Sequence, residues 1–309
     1  MRKKYFKNKN AVVTGAASGV GKEISLKLAK MGTNLVISDI NMERLEQVKN
    51  KAANFGVKVI SAKCDVTDQN QVKDLVKIAM NQMDEIHFLF SNAGIYMGGP
   101  FEHFSMDQWN RIMEVNVWGM IFVVKGFINK FLEQGFGHVI ITSSIAGSLG
   151  AGAVTAYSTT KFANSGFGEA IYGEYYERGL NVSIVCPFPL RTNLIENFQF
   201  SFPPEIFDGL EEDAIERGLK AAKSYYWKEF TKKGSGFFGG FEVERAVKRI
   251  MKKIRKKKLY IFDRRYGRFF QYLRGFSPWI YKKILNLAGK RHNELVEQSI
   301  EEFKKAARS

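Results

Sequence analysis

Hydrophobic positions along the first 190 residues alternate between two rhythms. Short, nearly continuous apolar runs at Ala11–Thr14, Asn34–Ser38, Val57–Ala62, Ile86–Ser91, His138–Ser143 and Val182–Cys186 read as buried strands. Between them, apolar residues recur at helical spacing in Lys22–Lys30, Met42–Phe55, Asn70–Gln82, Met106–Phe131 and Ala156–Arg178. Strands that lack polar alternation are covered on both faces, and the intervening helices supply the cover. The pattern predicts an α/β fold built on a doubly wound parallel sheet.

After Pro187 the rhythm breaks. Residues 190–240 mix Phe, Pro, Gly and charge, with FSFPPE and KKGSGFFGGF as loop-like punctuation. A helix from Glu242 to about Lys256 and a strand Leu259–Phe262 then resume the pattern. Beyond Asp263, Tyr266, Phe269, Phe270 and Leu273 suggest a short helix. Ser277 and Pro278 look like the cap and first turn of another, with Ile280, Ile284 and Leu287 on one side.

Charge sharpens this division. The 309 residues carry 47 Lys+Arg and 31 Asp+Glu, a net of +16. Residues 1–214 hold 21 basic and 22 acidic side chains, a net of −1, whereas residues 215–309 hold 26 and 9, a net of +17. A near-neutral body with a basic C-terminal third suggests two jobs. The 26 Phe, 12 Tyr and 4 Trp argue for a folded chain. Two cysteines, Cys64 and Cys186, make neither a disulfide framework nor a Cys-rich metal site and fit a reducing compartment. No segment comes near the roughly 20 apolar residues of a membrane span, and MRKKYFKNKN lacks the apolar core of a signal peptide. A cytoplasmic protein is expected. His87, His103, His138 and His292 show no metal-ligand spacing, so no metal site is expected.

Candidate chemistry starts after the first strand. Thr14-Gly15-Ala16-Ala17-Ser18-Gly19-Val20-Gly21 leads into a helix, the setting in which a Gly-rich turn brings backbone N–H groups up to a pyrophosphate. Asp39, at the end of the second strand, stands where a carboxylate would bind adenosine ribose hydroxyls and repel a 2′-phosphate, unless it merely caps the next helix. Ser18 rather than a basic residue precedes Gly19, so NAD is favoured over NADP. Tyr157 and Lys161 lie four apart on one helix face, where an ammonium would lower the tyrosine pKa and fit it for proton transfer, although such a pair alone is usually packing.

Taken together, TGAASGVG, Asn92-Ala93-Gly94, Asn116, Ser143-Ser144-Ile145-Ala146-Gly147 and Tyr157-x-x-x-Lys161 resemble the short-chain dehydrogenase/reductase family, in its order and spacing, over about residues 8–262. The resemblance implies a Rossmann-like catalytic domain over 1–262, with 190–240 forming the substrate loop region and 263–309 a basic, aromatic, helical extension. It implies that Ser144, rather than Ser143, bonds the substrate oxygen, that Tyr157 passes the proton, that Lys161 holds the nicotinamide ribose and tunes Tyr157, and that Asn116 keeps a water in the relay. Gly15, Ala17, Ser18, Gly19, Val20, Gly21 and Asp39 would bind the cofactor, with Asp65 and Val66 at the adenine, Asn92, Ala93 and Gly94 at the fourth strand, and Pro187 and Thr192 after the sixth. Where the family carries glycine after that proline this chain has Phe188, which is expected to shape an apolar substrate site.

The resemblance thus implies an oxidoreductase interconverting an alcohol and a ketone or aldehyde in a homo-oligomer, while Asp39 and Ser18 favour NAD and the Phe-rich 198–241 region with the tail suggests an apolar substrate. Its rivals are an NADPH-dependent carbonyl reductase and a non-catalytic, dinucleotide-sensing scaffold recruited to membranes. The basic third fits either reading. Residues 245–258 hold nine Lys or Arg on a helix whose other face is apolar, and the tail interleaves rings with cations. That composition suits an anionic membrane surface, a pocket lid or an oligomer contact; nucleic acid is disfavoured for want of a binding module.

Overall fold

The computed structural model describes residues 5–192, 198–230, 232 and 241–308. Its central sheet has seven strands: β1 (Asn10–Thr14), β2 (Asn34–Asp39), β3 (Val59–Lys63), β4 (Phe88–Ser91), β6 (Gly137–Thr142), β7 (Leu180–Cys186) and β11 (Tyr260–Phe262). They are all parallel and ordered β3-β2-β1-β4-β6-β7-β11. Short two-stranded pairs form from β5 (Met97–Gly98) with β9 (Gln199–Phe200) and from β8 (Leu190–Arg191) with β10 (Phe241–Glu242).

One face of the sheet is covered by α1 (Gly19–Lys30), α2 (Met42–Ala53) and α8 (Val243–Ile254), whose Ile24, Leu28, Leu45, Val247 and Ile250 join the β1 and β2 side chains in one core. The other face carries α3 (Gln69–Gln82), α4 (Met106–Met113), α5 (Gly119–Gln134) and α6 (Thr155–Tyr175). Local chemistry sets the helix starts. Asn41 accepts from Arg44 N, Asp68 accepts from the N–H groups of Asn70 and Gln71, and Ser105 forms a capping box with Gln108. These make the doubly wound, Rossmann-like α/β architecture. Because β1 leads outward to β2 and β3 while β4 returns to its other side, a crevice opens at the carboxyl ends of β1 and β4.

Three expectations are corrected. The helix expected over Met106–Phe131 is interrupted by a π-turn, Glu114–Trp118, that swings Asn116 inward. The whole Met106–Gln134 stretch is also long and apolar enough by composition to span a bilayer, contrary to the expectation that no segment comes near. Its best window is half buried, and Met120, Val123, Val124 and Phe127 pack in the core against the sheet. Within the region read as loop, α7 (Glu212–Phe230) is a 19-residue helix; the loop expected at 233–240 lies outside the described residues.

The C-terminal extension forms α9 (Gly267–Phe276) and α10 (Pro278–Arg308). α10 is held by Ala288, His292, Leu295, Val296, Ser299, Phe303 and Ala307, not by the face carrying Ile280 and Leu287, which stay exposed. Phe303 is fully buried on α7, where any side chain at Gly218 would meet its ring at 2.6 Å, and its ring also packs on Phe202 and Phe207. Phe303→Ala should therefore cost about 3 kcal/mol of unfolding free energy, measurable as a lower denaturant midpoint. An unchanged midpoint would show that α10 contributes no stability through this contact.

Candidate active site

The crevice holds a cavity of about 270 Å³ that runs from the β1–α1 turn to the extension. At one end the backbone is bare because it must be. Gly15 sits at φ +64°, where a Cβ would lie 2.8 Å from Ala93 Cα, and a Cβ on Gly21 would lie 2.1 Å from the Gly15 carbonyl oxygen. α1 then begins at Gly19 with Ser18 at its cap, so its first N–H groups face the cavity's floor. Asp39 Oδ2 accepts from Ala17 N at 3.0 Å and Oδ1 from Asn41 N at 3.0 Å. The helix cap itself is Asn41, so Asp39 braces the turn instead of capping α2.

Asn92 joins three strands. Its Nδ2 donates to the Thr14 and Gly15 carbonyls, both at 3.2 Å, and its Oδ1 accepts from Thr142 Oγ1 at 3.1 Å. Asp65 accepts from Thr67 N and Oγ1, which orders the corner where Val66 borders the cavity. Ala93, Gly94, Pro187 and Thr192 complete the same wall, with Thr192 against Gly19. The Pro187 carbonyl accepts from Ile145 N at 2.9 Å and so fixes the loop that carries Ser144.

Ser144, Tyr157 and Lys161 meet at the cavity's middle. The two serines part company here. Ser143 turns inward and donates to the Lys161 carbonyl at 2.8 Å, whereas Ser144 faces the cavity and hydrogen-bonds Tyr157. Lys161 is buried, with Nζ 3.2 Å from the Thr142 carbonyl and 5.4 Å from the Tyr157 ring centre. Asn116 accepts from Ile95 N at 2.8 Å and donates to Ile95 O at 2.9 Å and to Thr160 Oγ1 at 3.1 Å. Its side chain thus clamps α6 to the loop after β4.

Burial drives both titrating groups away from charge. Enclosure by protein pushes the Tyr157 phenol up to about 12 against the pull of the Ser144 hydrogen bond, and it brings Lys161 down to about 8. The expectation that Lys161 lowers the tyrosine pKa is therefore corrected. Its Nζ sits over the ring and bonds the Thr142 carbonyl, and the phenol is governed by desolvation, opposed only by the Ser144 hydrogen bond.

The far end of the cavity was not legible in the sequence. Tyr96, Leu149 and Val154 line it together with Trp227 and Phe230 from α7 and His292 from α10. Tyr96 donates to or accepts from Tyr226 OH at 2.9 Å and sets its ring edge-on to Tyr157, 4.7 Å between centres. His292, held neutral by burial, bonds the Ala288 carbonyl through Nδ1 at 2.9 Å. Phe188 touches the cavity, but its ring packs mainly on Tyr266 and Phe270 with the Arg264 guanidinium 5.1 Å above it. Cys64 and Cys186 are buried and free. Among the described residues no three His, Cys, Asp or Glu side chains gather into a metal-binding group.

This chain is similar to known proteins. The short chain dehydrogenase family profile matches residues 9–200. An uncharacterized oxidoreductase of Listeria monocytogenes is 34% identical over 222 residues, 72% of this chain and 85% of that protein. The cyclohexanol dehydrogenase of an Acinetobacter species is 32% identical over 196 residues, 63% of this chain and 78% of its own. A short-chain dehydrogenase/reductase from Burkholderia phymatum, solved in complex with NAD, superposes with a TM-score of 0.71 at 26% identity, covering 88% of this chain and 94% of its own.

The pKa of Lys161 has a measurable consequence. In the folded state it releases its proton near 8 but in the unfolded chain only near 10.5, so between these values the unfolded chain binds more protons and stability rises with pH. Tyr157 opposes this only above its ordinary value of 10.0. Wild type should gain about 2 kcal/mol over Lys161→Met between pH 8 and 10, read from denaturant melts. Parallel profiles would refute a depressed Lys161.

Proposed function

The chain belongs to the short-chain dehydrogenase/reductase family, oxidoreductases of CH–OH and C=O groups, and we propose that it interconverts an apolar alcohol and its ketone or aldehyde with NAD as preferred cofactor. The observation that carries this reading is the meeting of Ser144, Tyr157 and Lys161 midway between a phosphate-fitting turn and an apolar chamber.

The residues present fit a dinucleotide. A cradle that a Cβ at Gly15 or Gly21 would fill, the open start of α1 and the Asp39 carboxylate would hold its phosphates and adenosine ribose, with Asp65 and Val66 at the base. When bound, NAD supplies or accepts the hydride at its nicotinamide ring. The protein's part is orientation and proton transfer. Ser144 Oγ would donate to the substrate oxygen. Tyr157, protonated up to about 12, would give its proton to that oxygen as negative charge develops in reduction, and would take it back in oxidation. Lys161 would hold the nicotinamide ribose beside it, and Asn116, through Thr160 and Ile95, keeps α6 and the loop after β4 at fixed separation. The walls offered by Tyr96, Leu149, Val154, Trp227 and Phe230 favour an apolar, ring-sized substrate. Assembly into homo-oligomers, as the family implies, belongs to the same proposal.

One observation favours the NADPH-dependent reductase as second reading. A neighbouring cavity of about 260 Å³, on the Ser18 side of the turn, is bordered by Lys22, Arg44, Lys51 and Arg191. Those cations could offset the repulsion between Asp39 and a 2′-phosphate.

Fluorescence titration with NADH and with NADPH separates the two. At least tenfold tighter NADH binding is expected, with Asp39→Ala relaxing the ratio; tighter NADPH binding would establish the reductase. Tyr157→Phe should bind NADH within about twofold of wild type while losing at least a hundredfold in turnover. Turnover unaffected by that change would remove Tyr157 from the chemistry.

A further inference from the structure

Twelve large hydrophobic side chains are exposed among the described residues, and six of them fall between positions 269 and 287: Phe269, Tyr272, Phe276, Trp279, Ile280 and Leu287. Their clustering follows from the packing. α9 turns Phe270 and Leu273 into the protein, which leaves Phe269, Tyr272 and Phe276 together on its outer face. α10 turns Ala288 and His292 inward and leaves Ile280 and Leu287, seven apart, outward. Phe276, at the corner between the helices, is 92% exposed and Trp279 66%.

The charge around these rings has one sign. From Arg264 to Asn293 the chain holds eight Lys or Arg and no Asp or Glu. Arg265, Arg268, Arg274, Lys282, Lys283 and Lys290 are exposed, and Lys283 Nζ lies 3.7 Å over the Trp279 ring. Exposed rings without cations would suit a protein partner, and cations without rings a polyanion. The two together match the boundary of a bilayer, where rings enter the acyl region and ammonium and guanidinium groups meet anionic headgroups.

We propose that the α9–α10 corner is a docking surface for an anionic lipid bilayer. A second copy of the chain is a poor occupant of this face, since apposing it to itself would set cation against cation with no carboxylate between. The surface is one helix thick. Leu287 points out where Ala288, its neighbour, and His292 border the cavity. A bilayer on this corner therefore lies against the helix that closes the apolar chamber. This last point rests on the proposed apolar substrate; the docking itself does not.

The test uses the full chain, sedimented with vesicles of phosphatidylcholine, with and without a third of phosphatidylglycerol, at low salt. Binding is expected only to the anionic vesicles. Phe276→Asp and Trp279→Asp should each weaken it at least tenfold. The pair Lys282→Gln and Lys283→Gln should do the same, since each headgroup-facing cation contributes about fivefold. Unchanged circular dichroism and melting temperature would verify that these exposed changes leave the fold intact. Lack of binding to anionic vesicles would overturn the proposal, as would binding that Phe276→Asp leaves undiminished. A dimer that dissociates in Phe276→Asp, without vesicle binding in wild type, would assign the face to a second copy and overturn it equally.

Discussion

The site depends on one carboxamide. Asn92 spends both Nδ2 hydrogens on the carbonyls of Thr14 and Gly15 and its Oδ1 on the Thr142 hydroxyl, so the carboxyl ends of β1, β4 and β6 are tied at the point where the strand order reverses. Parallel strands bring their ends together but leave the carbonyls there unpaired. Satisfying them with a single side chain fixes the phosphate-fitting turn, the loop after β4 and the segment leading to Ser144 relative to one another. The clash a Cβ on Gly21 would make with the Gly15 carbonyl shows how little slack remains.

Within that frame, burial acts on two neighbouring groups in opposite senses, and both are driven toward neutrality. Tyr157 keeps its proton and Lys161 gives one up more readily, because enclosure disfavours the charged form of each. On the proposed reading, a neutral phenol beside an ammonium that titrates near 8 would suit proton exchange with a substrate oxygen. Tyr96, whose ring packs edge-on against Tyr157, also lines the apolar end of the chamber, so a wall that helps enclose the phenol is one that would meet an apolar guest.

The parts of this molecule legible in the sequence are those encoded by short spacings. Strand and helix order, the Gly-rich turn and the four-residue interval between Tyr157 and Lys161 are local, and their elements stand within a few residues of where periodicity puts them. The rest depends on contacts between distant segments. α7 was hidden because its inward face is mostly small, Ala214, Gly218 and Ala222 ahead of Tyr226 and Phe230, although their spacing of four was a usable signal. On α10 the spacing puts Ile280, Ile284 and Leu287 on one side, yet of these only Ile284 is partly buried, and the partner surface accepts Ala288, His292 and Ser299 on another. The direction of the Tyr157 shift required knowing how fully the phenol is enclosed, and the π-turn carries Asn116 to hydrogen bonds with the distant backbone of Ile95.

Phe188 links the loop after β7 to the extension. Its N–H donates to the buried carboxylate of Asp263 at 2.9 Å, while its ring is enclosed by Tyr266, Phe270 and Arg264. At the position where the family pattern has glycine, this chain places the keystone of a joint with residues 263–270. Glycine at this place would give the tail no ring to enclose, and a chimera that exchanged one segment without the other would inherit either an orphaned ring or an empty hollow.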